Sequence, residues 1–174
     1  MDVFERAKKI KLLIMDVDGV LTDGKFYYGN YGDELKAFNI HDGFGLTLLK
    51  RAGIKTVIIT AGNSKVVTRR AKHLQITRVY QKAYRKINTY IRVLKKFRLS
   101  DEEVCYIGDD LIDIPILKRV GLAVCVANAR EELKTLVHYI TNACGGEGAV
   151  REIVEILLKA QDKWDMVTKN YFQG

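Results

Sequence analysis

Residues 12–24 read LLIMDVDGVLTDG, an apolar run that ends on Asp16 and Asp18 with Gly19 directly behind them. Side chains of an extended chain alternate with period two, so the two carboxylates share a face while Met15 and Val17 point into the packing. Like charges held together raise each other's cost of ionising, which a cation relieves or a reaction uses. Other reactive side chains also close apolar runs: Thr60 in IITAGNS, Lys86 behind VYQKAY, and Asp109, Asp110 and Asp113 in CYIGDDLID. Asp16, Asp18 and Asp109 offer hard oxygen ligands suited to Mg²⁺, which takes few carboxylates, several waters and a substrate phosphate. With that charge neutralised, one ionised aspartate can attack phosphorus while another, protonated, donates to the departing alkoxide. Thr60 and Lys86 would hold the remaining phosphoryl oxygens, and Lys86 would offset transition-state charge.

These side chains converge only if the elements before them lie side by side. Short apolar runs at 11–16, 56–60, 78–80, 104–108, 122–126 and 139–141 predict strands, and helical periodicity fills 43–52, 64–74, 85–97, 113–120, 130–136 and 149–164. Alternation of this kind predicts an α/β, Rossmann-like domain over residues 1–174, with a parallel central sheet flanked by helices on both faces. Ligands of such sheets sit beyond the carboxyl ends of the strands, where all these residues fall. One segment breaks the alternation. Residues 25–39, KFYYGNYGDELKAFN, read as a β-hairpin turning at GNYGD. Its aromatics, Phe26, Tyr27, Tyr28, Tyr31 and Phe38, predict a protein partner, most simply a second copy of the chain; the alternative is that the hairpin folds over its own sheet.

Composition narrows the function classes. No apolar run reaches the roughly 18–20 residues of a membrane span, and MDVFERAKKIK lacks the order of a signal peptide, so a cytoplasmic location without membrane association is expected. Cys105 and Cys125 lie in strand-like runs and read as buried free thiols. The net charge of +8 suits an anionic ligand. No nucleic-acid-binding motif accompanies the basic helices, which read as solvated faces.

In this order the four segments from residue 16 to residue 113 resemble the haloacid dehalogenase (HAD) superfamily. The flanks GDELKAFNIHDGFG, YIGDDLIDIPIL and GGEGAVREIVEILLKAQ sharpen the resemblance, over about residues 10–165, to its small capless branch of 3-deoxy-D-manno-octulosonate (KDO) 8-phosphate phosphatases. The resemblance implies a HAD core without a cap domain, with Asp16 as the nucleophile that becomes an aspartyl phosphate and Asp18 as general acid/base. It implies Mg²⁺ held by Asp16, Asp109 and the Asp18 backbone carbonyl, with Asp110 and Asp113 behind them. Substrate contacts would come from Asp18, Asn39, His41, Asp42, Gly43, Thr60 and Lys86. It further implies a homotetramer joined through the hairpins, and release of phosphate from an eight-carbon sugar acid on the way to lipopolysaccharide. Two departures fall near the substrate: Ala61-Gly62 stands where Gly-Arg is usual, and His41 where arginine is usual.

Other readings stay open. Asn39, His41 and Asp42 also suit a turn before a helix starting at Gly43, with Asp42 as its cap. The tail, residues 165–174, is polar enough to fray in a monomer. The same scaffold would serve a nine-carbon sialic-type acid 9-phosphate, or a binding protein that no longer turns over substrate.

Overall fold

The computed structural model describes residues 2–172. A short helix, α1 (Val3–Ala7), precedes β1 (Leu12–Met15), and the hairpin strands β2 (Tyr27–Tyr28) and β3 (Glu34–Leu35) follow. The chain then alternates through α2 (Ile40–Arg51), β4 (Lys55–Ile59), α3 (Lys65–His73), β5 (Arg78–Tyr80), α4 (Lys86–Phe97) and β6 (Val104–Gly108). It ends in α5 (Ile114–Leu117), β7 (Leu122–Cys125), α6 (Glu131–Lys134), β8 (Tyr139–Ile140), α7 (Ala149–Ala160) and α8 (Trp164–Thr168).

Six of these strands form one parallel sheet in the order β5-β4-β1-β6-β7-β8, so all six predicted strands are present. β1 is central because all of its side chains are apolar: Leu12, Leu13, Ile14 and Met15 are each wholly buried. Each such side chain contributes about 1.5–3 kcal/mol by leaving water. Met15 pairs with Ile58 on one side and Ile107 on the other. From β1 the chain first builds outward through β4 and β5, then returns to β6 and builds the other way. The switch lies between β1 and β6, and a crevice opens at that point beyond their carboxyl ends. Helices α1, α2 and α7 pack together, as do α4 and α5, and no cap domain is inserted among the described residues. No helix among them is long and apolar enough to cross a membrane.

Four details depart from the sequence reading. Helix α2 starts at Ile40 rather than Gly43, because the Asn39 side chain accepts from the backbone N–H groups of His41 and Asp42 and so caps it. Asp42 is therefore not that helix's cap. The predicted 149–164 helix stops at Ala160, where Asp162 turns into the left-handed region at φ 53° and α8 begins anew. Finally, the tail up to residue 172 is docked rather than frayed. The Tyr171 ring meets Phe44 edge-on at 5.4 Å, and its hydroxyl accepts from Arg51 at 2.6 Å. Residues 173 and 174 lie outside the described residues.

Candidate active site

Asp16 follows β1 directly, and its backbone N–H donates to the Ile107 carbonyl at 3.2 Å, which ties it to β6. Asp109 follows β6, Thr60 follows β4, and Lys86 opens α4 behind β5. The four motifs thus meet at the switch point. Gly19 makes the closure possible: its φ is +84°, and a Cβ there would lie 2.1 Å from Asp109 Oδ2, so only a bare Cα lets the β1 loop pass beneath that carboxylate.

Lys86 is the fixed point of the cluster. Its side chain is fully buried, and Nζ donates to Asp16 Oδ2 at 2.5 Å and Asp113 Oδ1 at 2.7 Å. Asp113 also accepts from the Tyr106 hydroxyl at 2.5 Å and from the backbone N–H groups of Asp109 and Asp110. Asp16, Asp109 and Asp113 each present an oxygen within 4.8 Å of the others. Burial is the main force raising the Asp16 carboxyl to about 6; Lys86 opposes it and Asp113 adds to it. Burial, then Asp16 and Asp113, lift Asp109 to about 7. The Lys86 ammonium is desolvated too, but Asp16 and Asp113 outweigh that and hold it above the ordinary lysine range. Three carboxylates against one ammonium leave two negative charges when all are ionised. Hard oxygens with that surplus fit one Mg²⁺.

The Asp18 side chain stands outside this triangle. It is Asp113, not the Asp18 carboxylate, that completes the cluster, because Asp18 Oδ1 accepts from Lys36 Nζ at 2.5 Å. Asp18 instead lines a cavity of about 240 Å³ together with Asp16, Thr60, Gly62, Asp109 and Asp110. Lys86 lies beneath this cavity, buried against Asp16. Thr60 is 2% exposed, and its hydroxyl accepts from the Gly62 N–H at 3.2 Å. Asp110 caps the turn Leu111–Asp113 by accepting from Leu111 N–H at 2.7 Å.

Asn39, His41, Asp42 and Gly43 do not line the cavity. Asn39 is engaged as a helix cap and donates to the Gly146 carbonyl, and His41 is exposed on the first turn of α2. Asp42 is buried and accepts from the Arg151 N–H at 2.7 Å, holding the first turn of α7. Burial pushes the Asp42 carboxyl up. Gly43 packs against Arg70, whose Nη2 would lie 2.6 Å from an added Cβ. Conversely, sequence reasoning missed Lys36. The signal was present in Glu34 and Lys36, whose period-two spacing puts an acid and a base on one hairpin face.

The sequence profile of the haloacid dehalogenase-like hydrolases matches residues 33–153. A 3-deoxy-D-manno-octulosonate 8-phosphate phosphatase from Yersinia pestis is 47% identical over 96% of this chain and 89% of its own. The structure of a 3-deoxy-D-manno-octulosonate 8-phosphate phosphatase from Moraxella catarrhalis, in complex with magnesium, phosphate and KDO, superposes with a TM-score of 0.95 at 41% identity, covering 97% of each chain. The cobalt-bound enzyme from Haemophilus influenzae gives 0.90 at 32% identity, over 97% of this chain and 99% of that one. The chain belongs to the haloacid dehalogenase-like hydrolases, in the family of the 3-deoxy-D-manno-octulosonate 8-phosphate phosphatases.

Proposed function

We propose that this chain is a Mg²⁺-dependent phosphomonoesterase that releases inorganic phosphate from 3-deoxy-D-manno-octulosonate 8-phosphate, as its relatives are named for doing. The observation that carries the reading is the carboxylate cluster at the switch point, where Asp16 is desolvated, held by Lys86 and faced by Asp109. Asp16, Asp109 and the backbone carbonyl of Asp18 would hold the metal, which when bound supplies charge neutralisation and polarises a phosphoryl oxygen. Asp16 attacks phosphorus and becomes the aspartyl phosphate; its free oxygen stays on Lys86, which fixes the attack geometry. Asp18 gives a proton to the departing sugar oxygen, then takes one from the water that attacks the phosphoenzyme. Thr60, which lines the cavity, donates its hydroxyl to a phosphoryl oxygen. Asp113 and Asp110 hold the Asp109 loop and Lys86 in place.

The same reading makes residues 1–174 one capless phosphatase unit that works in the cytoplasm on a lipopolysaccharide precursor, with no nucleic-acid or membrane partner. Four copies pack through their hairpins, where Tyr28 and Tyr31 are 75% and 99% exposed in the single chain. Asn39, His41 and Gly43 then reach substrate only in that assembly. The test is phosphate release with Mg²⁺ from the eight-carbon acid 8-phosphate, a nine-carbon acid 9-phosphate and an unrelated sugar phosphate. Preference for the eight-carbon acid is expected; preference for the nine-carbon acid would reassign the substrate, and no release from any would end the reading.

A further inference from the structure

We infer that Lys36 is a positioning residue for the phosphatase reaction proposed above: it fixes the carboxyl group of Asp18 and ties it to the hairpin. The side chain of Lys36 is 1% exposed, although it leaves the β-hairpin and crosses 18 residues of sequence to reach Asp18. Its Nζ lies 2.5 Å from Asp18 Oδ1, 3.2 Å from Glu34 Oε1 and 3.9 Å from the centre of the Phe26 ring. A buried ammonium needs such partners, and removing one leaves a desolvated charge behind. The Phe26 ring in turn stacks on Tyr28 at 6.0 Å, so the cation is built into the hairpin's own packing.

For Asp18 the contact is decisive, because Lys36 is the donor that holds its side chain among the described residues. Asp18 stands between the 240 Å³ cavity and a second cavity of about 350 Å³, walled by Phe26, Tyr28, Glu34 and Lys36 on the hairpin side. With Oδ1 pinned, Oδ2 is turned toward Gly62 and Thr60, lying 3.4 Å from the position of a Cβ on Gly62. Oδ2 is therefore the oxygen that faces the ester. As Asp16 bonds phosphorus and the ester P–O bond breaks, the proton on Oδ2 passes to the ester oxygen, which leaves as the alcohol. The Asp18 carboxylate then accepts a proton from the water that displaces Asp16 from phosphorus. A proton donor works only within hydrogen-bond reach of its acceptor, so an unpinned Asp18 loses this step first.

The experiment compares kcat/KM of wild type, Lys36→Met and Lys36→Arg on three substrates: the sugar acid 8-phosphate, a simple alkyl phosphate without a carboxylate, and p-nitrophenyl phosphate. The last needs no proton on its leaving group. For Lys36→Met we expect losses of about 10- to 100-fold on both alkyl esters and less than about threefold on p-nitrophenyl phosphate, with Lys36→Arg keeping most of the alkyl activity. Equal losses on all three substrates, or none, would overturn the inference; a loss confined to the sugar acid would make Lys36 a substrate contact instead. Wild-type enzyme inactive on every ester would remove the phosphatase reading itself. If Lys36→Met does not fold, Lys36→Gln, which is neutral and one atom shorter, carries the same comparison.

Discussion

Asp113 does not line the cavity, yet Lys86, Tyr106 and the Asp109 and Asp110 N–H groups all donate to it. Replacing Tyr106 with Phe removes a buried donor and leaves an acceptor short, so a loss of about 1–3 kcal/mol is expected in denaturant melts. The carboxyls beside it set a pH dependence. Asp16 and Asp109, at about 6 and about 7, lie above the ordinary aspartate value near 3.9, so the folded metal-free chain binds more protons than the unfolded one in between. Stability from these groups is present in full below about pH 4 and is lost progressively as pH rises through about 6 and 7. Mg²⁺ competes with those protons, so it should raise the melting temperature much more at pH 8 than at pH 5. Equal increments at both would show that it binds elsewhere. Asp16, Thr60, Lys86 and Asp109 were legible in the sequence because each closes an apolar run. Lys36 showed only in its period-two spacing from Glu34, since its partner Asp18 is remote in sequence, and the helix-end contacts that Asn39 and Asp42 make in the single chain had no local mark.

At the scale of elements, two loops must interpenetrate for the site to exist, and glycine allows it. Gly19→Ala would strain a residue at φ +84° and drive a methyl group into Asp109. A loss of more than about 2 kcal/mol is expected, with Mg²⁺ stabilisation abolished in the same melts. An alanine variant that still bound Mg²⁺ normally would contradict the placement of Asp109 over Gly19. The strands were readable because continuous apolar runs at this length mean burial on both faces. Helix ends were less so. Asp162 turns left-handed after Ala160 without a glycine to mark the stop, and the five-residue α1 is too short to show a period.

Across the whole molecule, basic charge and exposed aromatics also group outside the buried carboxylate cluster. Lys8, Lys9, Lys11, Lys55 and Lys163 surround a cavity near the amino ends of the central strands, and Lys8 and Lys11 pair there with Glu5 and Glu103. Four exposed aromatics, Phe26, Tyr27, Tyr28 and Tyr31, gather on the hairpin that carries Lys36. If hairpins join the chains, Tyr28→Lys should convert tetramer to smaller species by light scattering and lower activity at low protein concentration; an unchanged mass would place the contact elsewhere. The central claim is that Asp16 takes the phosphoryl group with Mg²⁺ present. Rapid quench of the enzyme with substrate, followed by peptide mapping of the acid-trapped phosphoprotein, tests it directly. Phosphate on Asp16, absent from Asp16→Asn and from metal-free enzyme, is the predicted result; turnover with the phosphoryl group on another residue, or in Asp16→Asn, would contradict it.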